Sequence, residues 1–330
     1  MTGSGHMFFV IYLHCYYLIR CMADHKPQVI TTRQAKKQVN TFGISLVIYI
    51  LLNHMLWYGF GFLQRYSPAL LQSFDSELVI MVFFIAVLLI SGLGFFSLSS
   101  KALKLDIRDY LQKPKISFTR MAVLAATGIA VTYFFTAISS FFRFLIHPSY
   151  DPFTFVGNFS SVINIIKNAV YFLLFVIVRP WCDEYVFRGV IQRQLGHYNR
   201  YFGVIASAFL YSLAQPGLTD AIPAFFTGWF LAIVTYRYHS IIPARRIRMI
   251  IALFSWFIAV MPERMIIIPT VLIALVYLVA GYSLIGRKIN FHASRSGALN
   301  PKLWRTLLTS FTIILSMILF IGGCVLSFMI

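Results

Sequence analysis

Acidic residues are scarce in this chain: ten Asp and Glu among 330 residues, against 28 Lys and Arg. Charge of either sign is scarce as well. It makes up 12% of the residues, about half of what a soluble domain carries. The four cysteines, Cys15, Cys21, Cys182 and Cys324, fall at neither CxxC nor CxxxC spacing, so no disulfide framework or zinc knuckle is readable. Internal repeats and low-complexity stretches are lacking, and no stretch between hydrophobic runs is long enough for a soluble domain. These shortages exclude an ordinary cytosolic enzyme, a disordered chain and a disulfide-rich secreted module. What the sequence has in their place is apolar: 59% hydrophobic residues, 33 Phe and 18 Tyr, with a mean hydropathy of +0.78. That composition specifies an all-α protein, a polytopic transmembrane helical bundle.

Nine hydrophobic segments are candidates for spans, given that about 20 apolar residues cross the hydrocarbon core as a helix. They run over 41–64, 78–99, 121–146, 168–195, 202–215, 221–236, 249–262, 265–286 and 307–329. Three of them, 202–215, 221–236 and 249–262, are short and need either shelter from neighbours or an incomplete crossing. Residues 8–19 are shorter still and read as an interfacial helix, a remnant anchor or a signal-like segment. The opening MTGSGHM reads as a cloning scar, with Met7 as the expected native start. Of the 28 basic residues, 23 fall between alternate spans, in 20–40, 100–120, 187–200, 237–248 and 287–306. The opposite connections hold Asp75, Glu77, Asp151, Asp220 and Glu263. The positive-inside rule puts the basic connections in the cytoplasm, where they face anionic lipid headgroups. The basic surplus is thus a topology signal. No aromatic-basic platform accompanies it, so nucleic acid is not the expected partner. Single cysteines placed at Lys113 and Lys302 should react with impermeant reagents only from the cytoplasmic side, and one at Tyr150 only from outside. Labelling of Lys302 and Tyr150 from the same side would break the nine-span arrangement.

Ionisable groups inside a span are costly and are functional candidates by default. One span holds a cluster: Arg179, Asp183, Glu184 and Arg188, with Pro180 expected to kink the helix. For a helix starting near Asn168, Asp183 lies about 22 Å along it, within the hydrocarbon layer. Arg179 and Asp183 are four residues apart, as are Glu184 and Arg188, so each carboxylate has a guanidinium within reach. Two readings follow. The four residues form structural ion pairs that pack the helix, or a carboxylate serves as general base in a membrane-embedded site.

Asp183-Glu184-x-x-x-Arg188-Gly189, followed by Ile191-Gln192-Arg193-Gln194-Leu195, resembles the Glu-Glu-x-x-x-Arg signature of the CPBP membrane proteins. These comprise the CAAX prenyl endopeptidases and the bacteriocin-processing or immunity (Abi) proteins. The resemblance covers about 160–262 and implies a CPBP-like core. Active members of that family are glutamate-dependent intramembrane proteases. In them the first Glu activates water, the Arg holds the neighbouring carboxylate, and two later motifs, Phe-x-x-x-His and His-x-x-x-Asn or Asp, complete the site. Carried over, the water-activating position is Asp183, the second acid Glu184 and the arginine Arg188. The second motif reads Tyr211 and Gln215; the third reads Arg248 and Ala252.

These departures have chemical weight. Asp is one methylene shorter than Glu, and a shift of about 1 Å in a reacting group can cost on the order of a hundredfold. Arg179 would hold Asp183 ionised and engaged. Gln215 offers an amide to an oxyanion but cannot shuttle a proton. Arg248, beside Arg245 and Arg246, reads as a solvated cytoplasmic face. His54, beside Asn53 in the first span, reads as bonded to a neighbouring helix rather than to a metal. Cys182 reads as a buried structural thiol. No metal ligand set is visible, and no cofactor is expected. The expected organisation is an amino-terminal segment over 1–40, amino-terminal membrane helices over 41–159, the CPBP-like core over 160–286, and a cytoplasmic loop with a final span over 287–330. The expected function is a catalytically silent CPBP-type integral membrane protein, acting as scaffold, regulator or immunity factor for a membrane-protein partner. The alternatives are an active intramembrane endopeptidase using Asp183, Glu184 and Gln215 and, less well supported, a transporter.

Overall fold

The computed structural model describes residues 32–66, 76–146, 161–260, 272–273, 275–277 and 300–329. Every regular element among them is helical. Helix α1 spans Thr32–Tyr66. Helix α2 has three parts: Ser76–Leu88, a π-helical stretch Leu89–Phe95, and Phe96–Ala102. A short 3₁₀ turn, Arg108–Leu111, precedes α3, Phe118–Ile146. Helix α4 runs from Val162 to Gly196 as one membrane-length rod. Helices α5 (Arg200–Leu213), α6 (Leu218–Tyr238) and α7 (Ile241–Ala259) follow. Helices α8 (Pro301–Leu308) and α9 (Phe311–Met329) close the chain.

Local chemistry sets several of these starts. Asn199 accepts bonds from the backbone N–H groups of Tyr201 and Phe202, each at 3.0 Å, and so caps α5. Ser240 does the same for α7 through Ile242, at 3.2 Å. Asn300 caps α8, whose first residue is Pro301, a position where a missing N–H costs nothing. Pro180 sits just after the π-helical stretch Leu173–Val178 of α4. Its ring and absent N–H disfavour a regular preceding turn, and the wider π turn takes up that mismatch. A second π stretch, Tyr185–Ile191, follows the two carboxylates. Such bulges concentrate at functional sites in helices.

Helix α4 is the axis of the molecule. Cys182, Val186, Phe187, Val190 and Ile191 are fully buried, and they pack with Phe42, Leu46 and Ile50 of α1 and Phe202 and Leu210 of α5. A second, smaller core joins α3, α6 and α7 through Ile129, Leu231, Val234, Ile247 and Ile251. The perimeter is apolar: Val79, Val82 and Phe83 on α2, Phe134 and Phe141 on α3, Val162 and Ile165 on α4, and Ile318 and Ile321 on α9 are all exposed. A surface this apolar on several faces belongs in lipid, as does the hydropathy of the helices beneath it.

All segments predicted as spans within the described residues are helical, and 265–286 lies almost wholly outside them. Five helices are long and apolar enough to cross a bilayer, and a sixth crossing results if α8 and α9, bent by 69°, count as one. Three details depart from the sequence reading. Helix α6 has 21 residues and is membrane-length rather than short. Helix α7 begins at Ile241, so Arg245, Arg246 and Arg248 are helical rather than in a loop. Arg33, Lys36 and Lys37 likewise belong to the first turns of α1. Helix α5, at 14 residues, is sheltered by its neighbours: nearly all its side chains from Phe202 to Leu213 are buried.

Candidate functional site

The two carboxylates stand between the two π stretches of α4, on a part of the helix enclosed by α1, α5, α6 and α7. Asp183 is 2% exposed and has partners on three helices. The Tyr49 hydroxyl on α1 donates to Oδ1 at 2.5 Å. The Tyr211 hydroxyl on α5 donates to Oδ2 at 3.5 Å. Arg179, one turn earlier on α4, brings Nε to 4.0 Å from Oδ2. A bond as short as Tyr49–Asp183 has the length of a charge-assisted O–H to carboxylate contact.

Glu184 and Arg188 are both fully buried, with Arg188 Nε 3.4 Å from Glu184 Oε2. Their atoms do not align into a hydrogen bond, so charge rather than a linear bond couples them. The second fork of Arg188 is fixed elsewhere. Nη2 donates to the Gly228 carbonyl of α6 at 2.8 Å, and the guanidinium carbon lies 4.9 Å above the Tyr211 ring. Gly228 is what permits this. A Cβ there would lie 2.9 Å from Tyr211 Cδ1 and 3.0 Å from Arg188 Nη2.

Arg248 requires a correction. It does not lie on a solvated face with Arg246. It turns inward from α7 and donates from Nη2 to the Tyr211 hydroxyl at 2.8 Å, with its Nε buried. Seven residues after Ile241, it lies deep enough in α7 to reach the site; Arg246 alone of the three arginines is exposed. Ala252, one turn further, is half-buried and presents only a methyl group. Gln215 lies just past the end of α5. Its Oε1 accepts from Arg179 Nη2 at 3.3 Å, and its Nε2 donates to the Tyr211 carbonyl at 3.2 Å. The Gln215 amide is thus engaged at both ends.

Two contributors from α1 carry no sequence motif. Tyr49 caps Asp183, and His54 bonds the backbone carbonyl of Gln215 through Nε2 at 3.1 Å. His54 therefore reaches a neighbouring helix end. With Asn53, Arg179, Asp183 and Gln215 it lines a cleft of about 20 Å³, enough for about one water molecule. Tyr58 bonds the carbonyls of Pro216 and Gly323, tying α1 to α9 beside the same cleft. A polar phenol at 49, followed one turn later by Asn53-His54 in an apolar run, was the available signal for this face of α1. Cys182 is fully buried against Gly92 of α2, where an added Cβ would lie 3.1 Å from its own. Among the described residues no group of three or more His, Cys, Asp or Glu is placed to hold a metal ion.

Comparison with known families adds one finding. Residues 165–254 match the family model described as type II CAAX prenyl endopeptidase Rce1-like. The match spans α4 through most of α7 and contains Asp183, Glu184, Arg188, Tyr211, Gln215 and Arg248. Tyr49 and His54 lie outside it. No curated protein and no solved structure matches the chain.

Proposed function

We propose that this is a catalytically silent member of the CAAX-protease-like membrane proteins, serving as a scaffold or regulator for a membrane-protein partner. The observation that carries the reading is the state of Asp183. Both of its oxygens are engaged, by the phenols of Tyr49 and Tyr211, with Arg179 alongside. A general base needs a free lone pair directed at water. Here a phenol faces each oxygen, and these buried donors compete with water for the carboxylate's lone pairs. Glu184 accepts no hydrogen bond, but Arg188 holds it by charge and both lie out of contact with solvent. The positions where the resemblance calls for histidine hold Gln215 and Arg248. The first is bonded at both ends and the second is committed to Tyr211. Neither side chain can take up and release a proton near neutral pH. What remains is a rigid polar hub that fixes five helices, a suitable platform for holding a partner in the bilayer.

The test is direct. Purified protein in lipid should leave prenylated and leader-type peptides intact over long incubation. Turnover that disappears in Asp183→Ala or Glu184→Ala would overturn the silent reading and install an intramembrane endopeptidase in its place.

A further inference from the structure

Two carboxylates and four guanidinium groups meet around the packing of α4 against α7. Asp183 and Glu184 carry the negative charge; Arg179, Arg188, Arg245 and Arg248 carry the positive. Arginine does not lose its proton inside proteins. With both carboxylates ionised, the cluster still holds a positive excess, in surroundings where unbalanced charge is costly.

The excess is localised. Glu184 is shared among Arg188, Arg248 and Arg245, and Arg188 already has it as its nearest carboxylate. Arg245 and Arg248 stand three residues apart on one face of α7. Neither makes an ion pair among the described residues. Arg245 lies 5.3 Å over the Trp181 ring, and its Nε is buried without a hydrogen-bond partner. Arg248 spends Nη2 on Tyr211, and its Nε is also buried without a partner. Trp181 is 40% exposed, so the Arg245 end of this pair opens towards the perimeter between α4 and α7. The two arginines lie about 6 Å and about 10 Å along α7 from its start, level with Trp181 and Tyr211.

We propose that Arg245 and Arg248 form a binding site for a phosphate-bearing anion that enters sideways between α4 and α7. Two guanidinium forks with unspent N–H groups suit an acceptor with several oxygens. A phosphate group offers these and, as a monoester, up to two negative charges, which answers the local excess better than a single carboxylate does. The phosphate arrives either on a lipid headgroup or as a free ion. The site stands whether or not Asp183 turns over a peptide.

The experiment uses the full chain in nanodiscs of phosphatidylcholine, in the same lipid doped with phosphatidic acid, and in phosphatidylcholine with inorganic phosphate added. Thermal melting is read in each. Binding to the folded state raises the melting temperature, and a shift of about 3–6 °C is expected for a tightly held ligand. A shift with phosphatidic acid alone identifies the lipid as the source; a shift with inorganic phosphate identifies a soluble ion. Either shift should vanish in Arg245→Gln plus Arg248→Gln and survive in Lys36→Gln plus Lys37→Gln, which removes a half-buried and an exposed charge at the start of α1. Because Arg248 also supports Tyr211, Arg245→Gln alone is the second variant, and it should lose most of the shift. Absence of any shift in the unsubstituted protein overturns the proposal, as does a shift of equal size in the arginine variants.

Discussion

Replacing Arg188 with alanine should destabilise the protein by about 3–5 kcal/mol, the usual cost of stranding one member of a buried ion pair. The reason lies in what Glu184 then faces. Both residues are fully buried, so no water replaces the lost guanidinium. Arg188→Ala also removes the bond to the Gly228 carbonyl and the cation over the Tyr211 ring. The second substitution separates these effects. In Arg188→Ala with Glu184→Ala the stranded charge is gone, so part of the loss should return, while the Gly228 and Tyr211 contacts stay lost. A double-mutant cycle on melting in detergent reads the coupling. Arg245 and Arg248 also bear on Glu184, so the recovery should be partial rather than complete. If Arg188→Ala melts like the parent, or the cycle is simply additive, the pair is not holding the fold, and Glu184 becomes a candidate general base.

How much of this was legible beforehand depends on whether the partners share a helix. The Arg179–Asp183 and Glu184–Arg188 proximities follow from four-residue spacing, because a helix places such residues on one face wherever it sits. Tyr49 and His54 belong to a helix more than a hundred residues away in sequence, and helical periodicity says nothing about which helix faces which. Arg248 misled for a different reason. Three basic residues within four positions read as a solvated surface, yet a helix turns about 100° per residue, so Arg246 and Arg248 point in well-separated directions. The start of α7 was within reach. Ser240 before Ile-Ile-Pro243 has the form of an amino-terminal cap with proline in the first turn. Asn300-Pro301 carries the same kind of signal for α8. The π stretches of α4 had no such signature, since their hydrogen bonds depend on what packs against the helix. The bilayer assignment was the most legible part, because it rests on total composition rather than on any one contact.

The other large effect expected is at Gly203, where α5 crosses the carboxyl-terminal end of α4. A Cβ added there would lie 2.7 Å from the Gly196 nitrogen, 2.8 Å from the Gln192 carbonyl oxygen and 2.9 Å from the Gly196 Cα. All three are backbone atoms, so no side chain can swing aside, and the helices themselves must separate. Overpacking typically costs about 1–3 kcal/mol, and Gly203→Ala should fall at or above the top of that range. Phe202 and Tyr211 lie on the same short helix and are buried in the core that holds α1, α4 and α5 together. Backing α5 away therefore loosens the Tyr211–Asp183 contact along with the packing. Gly322 on α9 supplies the contrast, because an added Cβ there meets nothing within 4 Å. Gly322→Ala should be neutral or stabilising by about 0.5–1 kcal/mol, the helix-propensity gain of alanine over glycine. Melting of the two variants side by side decides the matter. A Gly203→Ala protein as stable as Gly322→Ala would mean that α4 and α5 do not approach this closely. The hydrogen bond that Tyr211 carries from α5 to Asp183 would then lose its structural basis, and Asp183 would keep only the phenol of Tyr49 against it.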